Sequence, residues 1–258
     1  MKKQLHYFLT ALMFLTRIPV PPIINHSDSM LQKSARYFTW VGLLVGVIAA
    51  TAYWLLQHIF SPALALAFSM AVSILTTGAF HEDGFADVCD AFGGGWTKEK
   101  ILLIMKDSRL GTYGVVGLIC ILSVKFLLLL ELVAMPGSLN RFLVIIIAAH
   151  GISRLAGLTM MHQYSYVADM DTSKSKPVTT RKLTAAELTI ACAGAALPFI
   201  FLPYTFLLAI LLVIPARLYL GWYFHKWIGG YTGDCLGATQ QVTEIFFYIG
   251  CLLIWKFI

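Results

Sequence analysis

From Phe38 to Phe80 the chain carries no Asp, Glu, Lys or Arg. A stretch of that length without a charge has no face suited to water. It divides at Gln57-His58 and Ser61-Pro62, which mark a tight turn between two apolar runs, 38–57 and 63–80. Each run is close to the ~20 residues that carry a helix across the hydrocarbon core of a bilayer. The rest of the chain follows the same plan. Further apolar runs occupy 113–134, 142–161, 186–202, 204–222 (after Pro203) and 243–258. Residues 5–16 are apolar but too short to cross. They end at Thr16-Arg17-Ile18-Pro19-Val20-Pro21-Pro22, where prolines stop a helix, so a re-entrant or interfacial helix is expected there.

Composition agrees with this division. Hydrophobic residues make up 59% of the chain and charged residues 12%, against about 25% charged in a soluble domain. The expectation is an all-α, polytopic integral membrane bundle of about seven transmembrane spans plus the N-terminal helix. No internal repeat is visible, and residues 1–258 read as a single membrane-embedded domain. No cleavable signal peptide is evident at the start. The five cysteines form no CxxC pair and read as small buried hydrophobes.

The net charge of +6 invites a nucleic-acid reading, but no loop interleaves basic runs with aromatics. The basic residues instead set an orientation. With the N-terminus in the cytoplasm, fourteen Lys and Arg fall on that side and two, Arg141 and Lys256, on the other. The three longer polar stretches, 81–112, 162–185 and a Gly-rich loop at 223–242, then face the cytoplasm together.

Four of the thirteen acidic residues lie in His81-Glu82-Asp83-Gly84-Phe85-Ala86-Asp87-Val88-Cys89-Asp90. On a helix, Asp87 stands about 40° from Asp83 and Asp90 about 20° to its other side, so the three share a face ~60° wide. Like charges one turn apart repel, and a hard cation such as Mg²⁺ or Mn²⁺ relieves that repulsion through oxygen ligands. Glu82 points away from this face. In Met105-Lys106-Asp107-Ser108-Arg109-Leu110-Gly111-Thr112, Lys106 and Arg109 are candidate phosphate ligands at a helix start. In Gly229-Gly230-Tyr231-Thr232-Gly233-Asp234-Cys235-Leu236-Gly237-Ala238, the glycines let backbone N–H groups approach an anion, and Asp234 is a further candidate metal ligand. Lys125, Glu131 and Arg154 fall inside apolar runs, where a charge is either functional or structurally paired. Arg154 and Arg17 are read as phosphate contacts.

Taken in order, these segments resemble the cobalamin synthases, also called adenosylcobinamide-GDP ribazoletransferases. The resemblance is carried by Phe14-Leu15-Thr16-Arg17-Ile18-Pro19, by Gly78 through Asp90, by Met105 through Thr112, by Ser153-Arg154, and by Thr232-Gly233-Asp234 through Gly237-Ala238 to Glu244. It covers nearly the whole chain. Glu82 stands where that family's pattern asks for no acid. The resemblance implies a Mg²⁺-dependent transferase of late cobalamin biosynthesis in the cytoplasmic (inner) membrane of a prokaryote. It would join adenosylcobinamide-GDP to α-ribazole or its 5′-phosphate and release GMP. Asp83, Asp87 and Asp90 would hold the metal. Arg17, Lys106, Arg109, Arg154, Thr232, Gly233 and Asp234 would bind substrate phosphates. For the proton of the attacking hydroxyl, Asp107, His81 and the cluster itself stay open as alternatives. A homo-oligomer is left open too.

A looser likeness links the acidic Asp-Gly helix to the CDP-alcohol phosphatidyltransferases, whose Ala-Arg after Asp-Gly and second Asp pair this chain lacks. From a different class, a divalent-cation transporter would also use acids near a membrane, together with Lys125 and Glu131.

Overall fold

The computed structural model describes residues 2–21, 27–137, 139–167 and 182–258. They form helices α1 (Lys2–Leu15), α2 (Asp28–Ser34), α3 (Phe38–Leu56), α4 (Pro62–Thr77), α5 (Phe80–Gly94), α6 (Lys98–Met105), α7 (Thr112–Val133), α8 (Leu139–Gln163), α9 (Ala185–Ala196), α10 (Ile210–Ile228) and α11 (Gly233–Phe257). Short 3₁₀ turns at Ala35–Tyr37, Leu197–Phe201 and Tyr204–Ala209 join them. Of the predicted loop 162–185, residues 168–181 lie outside the described residues.

The expected all-α membrane bundle is what forms, with fewer regular crossings than the apolar runs predicted. Among the described residues, four helical stretches are long and apolar enough to cross a bilayer: Ser29–Leu56, Thr112–Val133, Leu139–Gln163 and Tyr204–Ile228. A bent pair, Pro62–Thr77 with Phe80–Gly94, would make a fifth. The predicted span 186–202 becomes α9 and a 3₁₀ turn, a short apolar helix over Ala185–Phe201. The predicted break before 243–258 is absent, because α11 runs unbroken from Gly233 to Phe257. Gln240 and Gln241 fall in the expected loop 223–242, yet both are buried in α11, where Gln240 Nε2 donates to Glu244 and Gln241 Nε2 to Glu82.

α8 is the hub. Its apolar stretch is 72% buried, against 17% for that of α7, which therefore lies on the lipid-facing outside. Phe142, Ile145, Ala149, Leu129, Phe247 and Cys251 close one core around it.

α4 ends in a way that shapes the site. Gly78 takes φ +66° and caps the last turn through its N–H to Ile74 and Leu75 carbonyls. Ala79 follows at φ +58°, the one described non-glycine residue with positive φ. Left-handed geometry costs an L-residue about 1–2 kcal/mol, so the bend is held by its surroundings. A side chain on Gly78 would fall on Arg17 Nε and Cγ, and the Arg17 N–H donates to the Thr76 carbonyl at 2.8 Å. The result is an 88° turn. α5 therefore runs across the direction of α4 and does not prolong its crossing.

Candidate active site

α5 and α11 pack backbone to backbone at Gly84 and Gly237. A Cβ on Gly84 would stand 3.0 Å from Asp234 Cα, and one on Gly237 would stand 3.1 Å from the His81 carbonyl oxygen. Only glycines allow this approach. It sets the acidic face of α5 against the first turn of α11, where Asp234 follows the cap Thr232. Thr232 Oγ accepts from the Cys235 N–H at 3.3 Å and lies 3.4 Å from Asp234 Oδ2. Gly233 opens the helix beside them.

The three predicted metal ligands share one face of a helix, as their spacing requires, but differ in environment. Asp83 is exposed and Asp87 half-buried. Burial, followed by the charges of Asp234, Asp83 and Asp90, pushes the Asp87 carboxyl up to about 7. Asp90 is buried and already engaged. Its Oδ2 accepts from the Gly111 N–H at 2.7 Å and its Oδ1 from the Gly114 N–H at 2.8 Å. Those N–H groups open α7, whose own N-cap position, Gly111, has no side chain to offer. Asp90 thus caps α7 from another helix and ties the 105–112 segment to α5. A helix beginning at Gly-Thr without a capping side chain was the one sequence signal for this role.

The carboxylates Asp83, Asp87 and Asp234 are oxygen donors of one sign, and their like charges add to the burial that raises the Asp87 carboxyl. This donor chemistry fits a hard divalent cation. Among the described residues no three or more His, Cys, Asp or Glu side chains form a ready metal cage.

The predicted phosphate ligands do not gather at one point. Asp107 and Arg109 form an exposed pair, with Arg109 Nη2 2.6 Å from Asp107 Oδ2. This bonding holds the Asp107 carboxyl down at about 2, which makes it a poor proton acceptor. Asp90, Asp107, Arg109 and Gly111 border one open cleft; Lys106 lies exposed on the same segment. Arg17 lies at the α4–α5 bend. His81 and Arg154 face inward, lining a second cavity with Gly233, Gly237 and Gln240.

Sequence reasoning missed the polar interior behind α5. Lys125 Nζ meets Glu244 Oε1 at 2.6 Å, both buried. Tyr248 OH and Gln240 Nε2 also donate to Glu244, at 3.0 and 2.7 Å. Glu82, which points away from the metal face as its spacing predicts, is buried and accepts from Gln241 Nε2 at 2.9 Å. Arg154 Nη1 donates to the His150 carbonyl at 2.9 Å. The signal was the set Gln240, Gln241, Glu244 and Tyr248, polar groups on one stripe of an otherwise apolar segment. Glu131 pairs separately with Lys256 at the surface, 3.4 Å apart.

Comparison with known proteins identifies the family. The family model described as "Cobalamin-5-phosphate synthase" matches residues 7–252. A protein of Shewanella piezotolerans named adenosylcobinamide-GDP ribazoletransferase is 42% identical over 255 residues, covering 98% of this chain and 97% of its own length. Proteins of the same name from Leptospira interrogans (40% over 263 residues, 99% and 98% covered) and Vibrio parahaemolyticus (39% over 257 residues, 99% and 95% covered) are similar throughout. No solved structure matches the chain. A match across almost the whole chain, in the order of its acidic, basic and glycine-rich segments, makes this chain a member of the cobalamin-5-phosphate synthase family, a membrane enzyme that transfers a substituted phosphate group.

Proposed function

We propose that this chain joins adenosylcobinamide-GDP to α-ribazole, or to its 5′-phosphate, in a Mg²⁺-dependent reaction that releases GMP. The product is adenosylcobalamin or its 5′-phosphate, formed in the last steps of cobalamin biosynthesis. The observation that carries the reading is the close packing of Gly84 on Asp234 and Gly237, which sets the acidic helix α5 beside the first turn of α11. Full-length relatives named for this transfer support it.

Asp87 with Asp83 or Asp234 would hold Mg²⁺, which is commonly bound through one or two carboxylates and when bound supplies Lewis-acid polarisation of a phosphoryl oxygen. A ribazole hydroxyl attacks the phosphorus attached to cobinamide. A new P–O bond forms there, the bond to GMP breaks with its electron pair going to GMP, and the hydroxyl proton leaves to a base. Such transfers depend mainly on positioning and charge stabilisation. Arg109 and Lys106, exposed above the Asp90 cleft, neutralise charge on phosphate oxygens. Asp90 keeps that segment in place by capping α7. Asp107 holds Arg109, and its low pKa favours a carboxylate of the cluster as proton acceptor. The excess of Lys and Arg on one side supports a cytoplasmic face for the site in a prokaryotic inner membrane. Lys125 and Glu131, which had favoured cation transport, are each paired, with Glu244 and Lys256.

Purified protein in detergent with Mg²⁺ and both substrates should release one GMP per product formed. Asp87→Asn should lose that turnover and keep the wild-type unfolding temperature. Near-normal GMP release from Asp87→Asn would remove the carboxylate cluster from the chemistry.

A further inference from the structure

Arg217 sits midway along α10, a helix whose Ile214, Leu218, Tyr219 and Trp222 side chains are exposed. Arg217 itself is only 6% exposed. Its side chain lies against the last turn of α8. The Nε–H donates to Thr159 Oγ at 2.9 Å, Nη1 donates to Gln163 Oε1, and the guanidinium stands 5.7 Å from the centre of the Tyr164 ring. All of these partners are neutral. Among the described residues no carboxylate pairs with Arg217, and it makes no further bond. A cation so placed is costly unless an anion faces it. The carbonyl end of α8 supplies about half a negative charge, which leaves the guanidinium undercompensated. Its remaining nitrogen, Nη2, is unbonded and is not enclosed by the protein. The Tyr164 hydroxyl, whose ring packs on Gly221, has no partner among the described residues either. Two donors, one of them charged, thus open outward from a groove between α8 and α10.

The level and the flanks of the groove select the partner. Ser165 and Val167 exchange backbone hydrogen bonds with Tyr231, each 3.0 Å long, so this end of α8 is the end at which α11 begins, with Asp234. Tyr219 and Trp222 are rings of the kind that collect where a bilayer meets water, and Lys226 Nζ lies 5.0 Å from the centre of the Trp222 ring. This pattern sets the groove at headgroup depth, with exposed Ile214 and Leu218 on its acyl-chain side. Arg217, Gln163 and Tyr164 border neither cavity of the candidate active site. A soluble anion would pair with Nη2 and leave the apolar flanks uncovered. An uncharged acyl chain would cover the flanks and leave Nη2 unpaired, and a zwitterionic lipid brings a second cation to the site. We propose that the α8–α10 groove binds an anionic phospholipid. Its phosphate oxygens accept from Arg217 Nη2 and Tyr164 OH, and its chains lie along Ile214 and Leu218. Basic pockets between transmembrane helices suit such headgroups. This site goes beyond the transfer chemistry above and does not depend on it.

Delipidated full-length protein in neutral detergent is titrated with phosphatidylglycerol and with phosphatidylcholine. Native mass spectrometry counts the bound lipid, unfolding temperature is read alongside, and inorganic phosphate and glycerophosphoglycerol serve as headgroup probes without chains. The wild type should bind phosphatidylglycerol about tenfold or more tightly than phosphatidylcholine and unfold at a higher temperature with it. Arg217→Gln should weaken phosphatidylglycerol binding by about tenfold, the equivalent of one charge-assisted hydrogen bond. Gln163→Glu is the second variant, and it adds a counter-charge where Gln163 Oε1 already meets Arg217 Nη1. It should fold even where Arg217→Gln does not, raise the unfolding temperature in neutral detergent, and weaken phosphatidylglycerol binding because the cation is then paired from within. Equal binding of the two lipids by the wild type would overturn the proposal. So would a folded Gln163→Glu that is no more stable and binds phosphatidylglycerol as before, since Arg217 would then need no outside anion. Inorganic phosphate or glycerophosphoglycerol bound as tightly as the lipid, and lost in Arg217→Gln, would overturn the lipid as the source of the phosphate.

Discussion

Glu244→Gln tests whether the polar interior is a set of bonded charges holding α7, α8 and α11 together. Glu244 is fully buried and receives Lys125 Nζ at 2.6 Å, Gln240 Nε2 at 2.7 Å and Tyr248 OH at 3.0 Å. All three partners donate, so a carboxylate satisfies them and an amide sets its own NH₂ against one. The substitution also leaves the Lys125 ammonium buried without a counter-charge. Breaking one partner of a buried ion pair costs about 3–5 kcal/mol, while single hydrogen bonds inside membrane proteins average only about 0.6 kcal/mol. The ammonium dominates, and a loss of about 3 kcal/mol is expected for Glu244→Gln and likewise for Lys125→Met. Removing both charges, as Lys125→Met with Glu244→Gln, should cost less than the sum by about 2 kcal/mol, because no charge is then stranded. Reversible unfolding in mixed detergent micelles, followed by tryptophan fluorescence, reads each value. An additive double variant, or a Glu244→Gln loss below about 1 kcal/mol, would refute the pairing as a stabilising unit.

Asp90→Asn should destabilise the fold by about 1–3 kcal/mol, since one of the two backbone donors at the start of α7 loses its acceptor. Micelle unfolding reads the loss, and a change under about 0.3 kcal/mol would show that Asp90 is free for other work. Gly84→Leu should abolish GMP release, because its Cβ begins 3.0 Å from Asp234 Cα and drives α5 off α11. Retained activity there would mean the crossing does not assemble the site. Asp107, held near 2 by Arg109, is ionised throughout the working pH range. Asp107→Asn should therefore leave the acid limb of the pH–rate profile in place, and a displaced limb would make Asp107 the base after all.

The membrane class, the helix at 81–90 and the shared face of its three aspartates were legible because they rest on local facts. Uncharged runs cannot face water, and residues three, four and seven apart fall on one side of a helix. The bend after α4 was less so: Gly78 allows a left-handed turn, but Ala79 at φ +58° is set by packing. Segmenting the chain by polarity misread the start of α11 as a loop, since Gln240 and Gln241, like Glu244 within the expected span, are polar without being exposed. Hydropathy reports the cost of leaving water, and that cost is offset when donors and acceptors on α5, α7 and α8 meet them.

The sequence by itself determined the kind of molecule and the chemistry its side chains offer: an all-α membrane chain whose acids, bases and glycines come in a family order. Tertiary structure alone decided which groups work together. It turned Asp90 toward α7, brought Asp234 to Asp83 and Asp87 from far along the chain, and sent His81 and Arg154 into a separate cavity. Spacing along a helix fixes only direction around its axis. What lies in that direction depends on which backbones pack close enough to meet, and here Gly84 and Gly237 permit it.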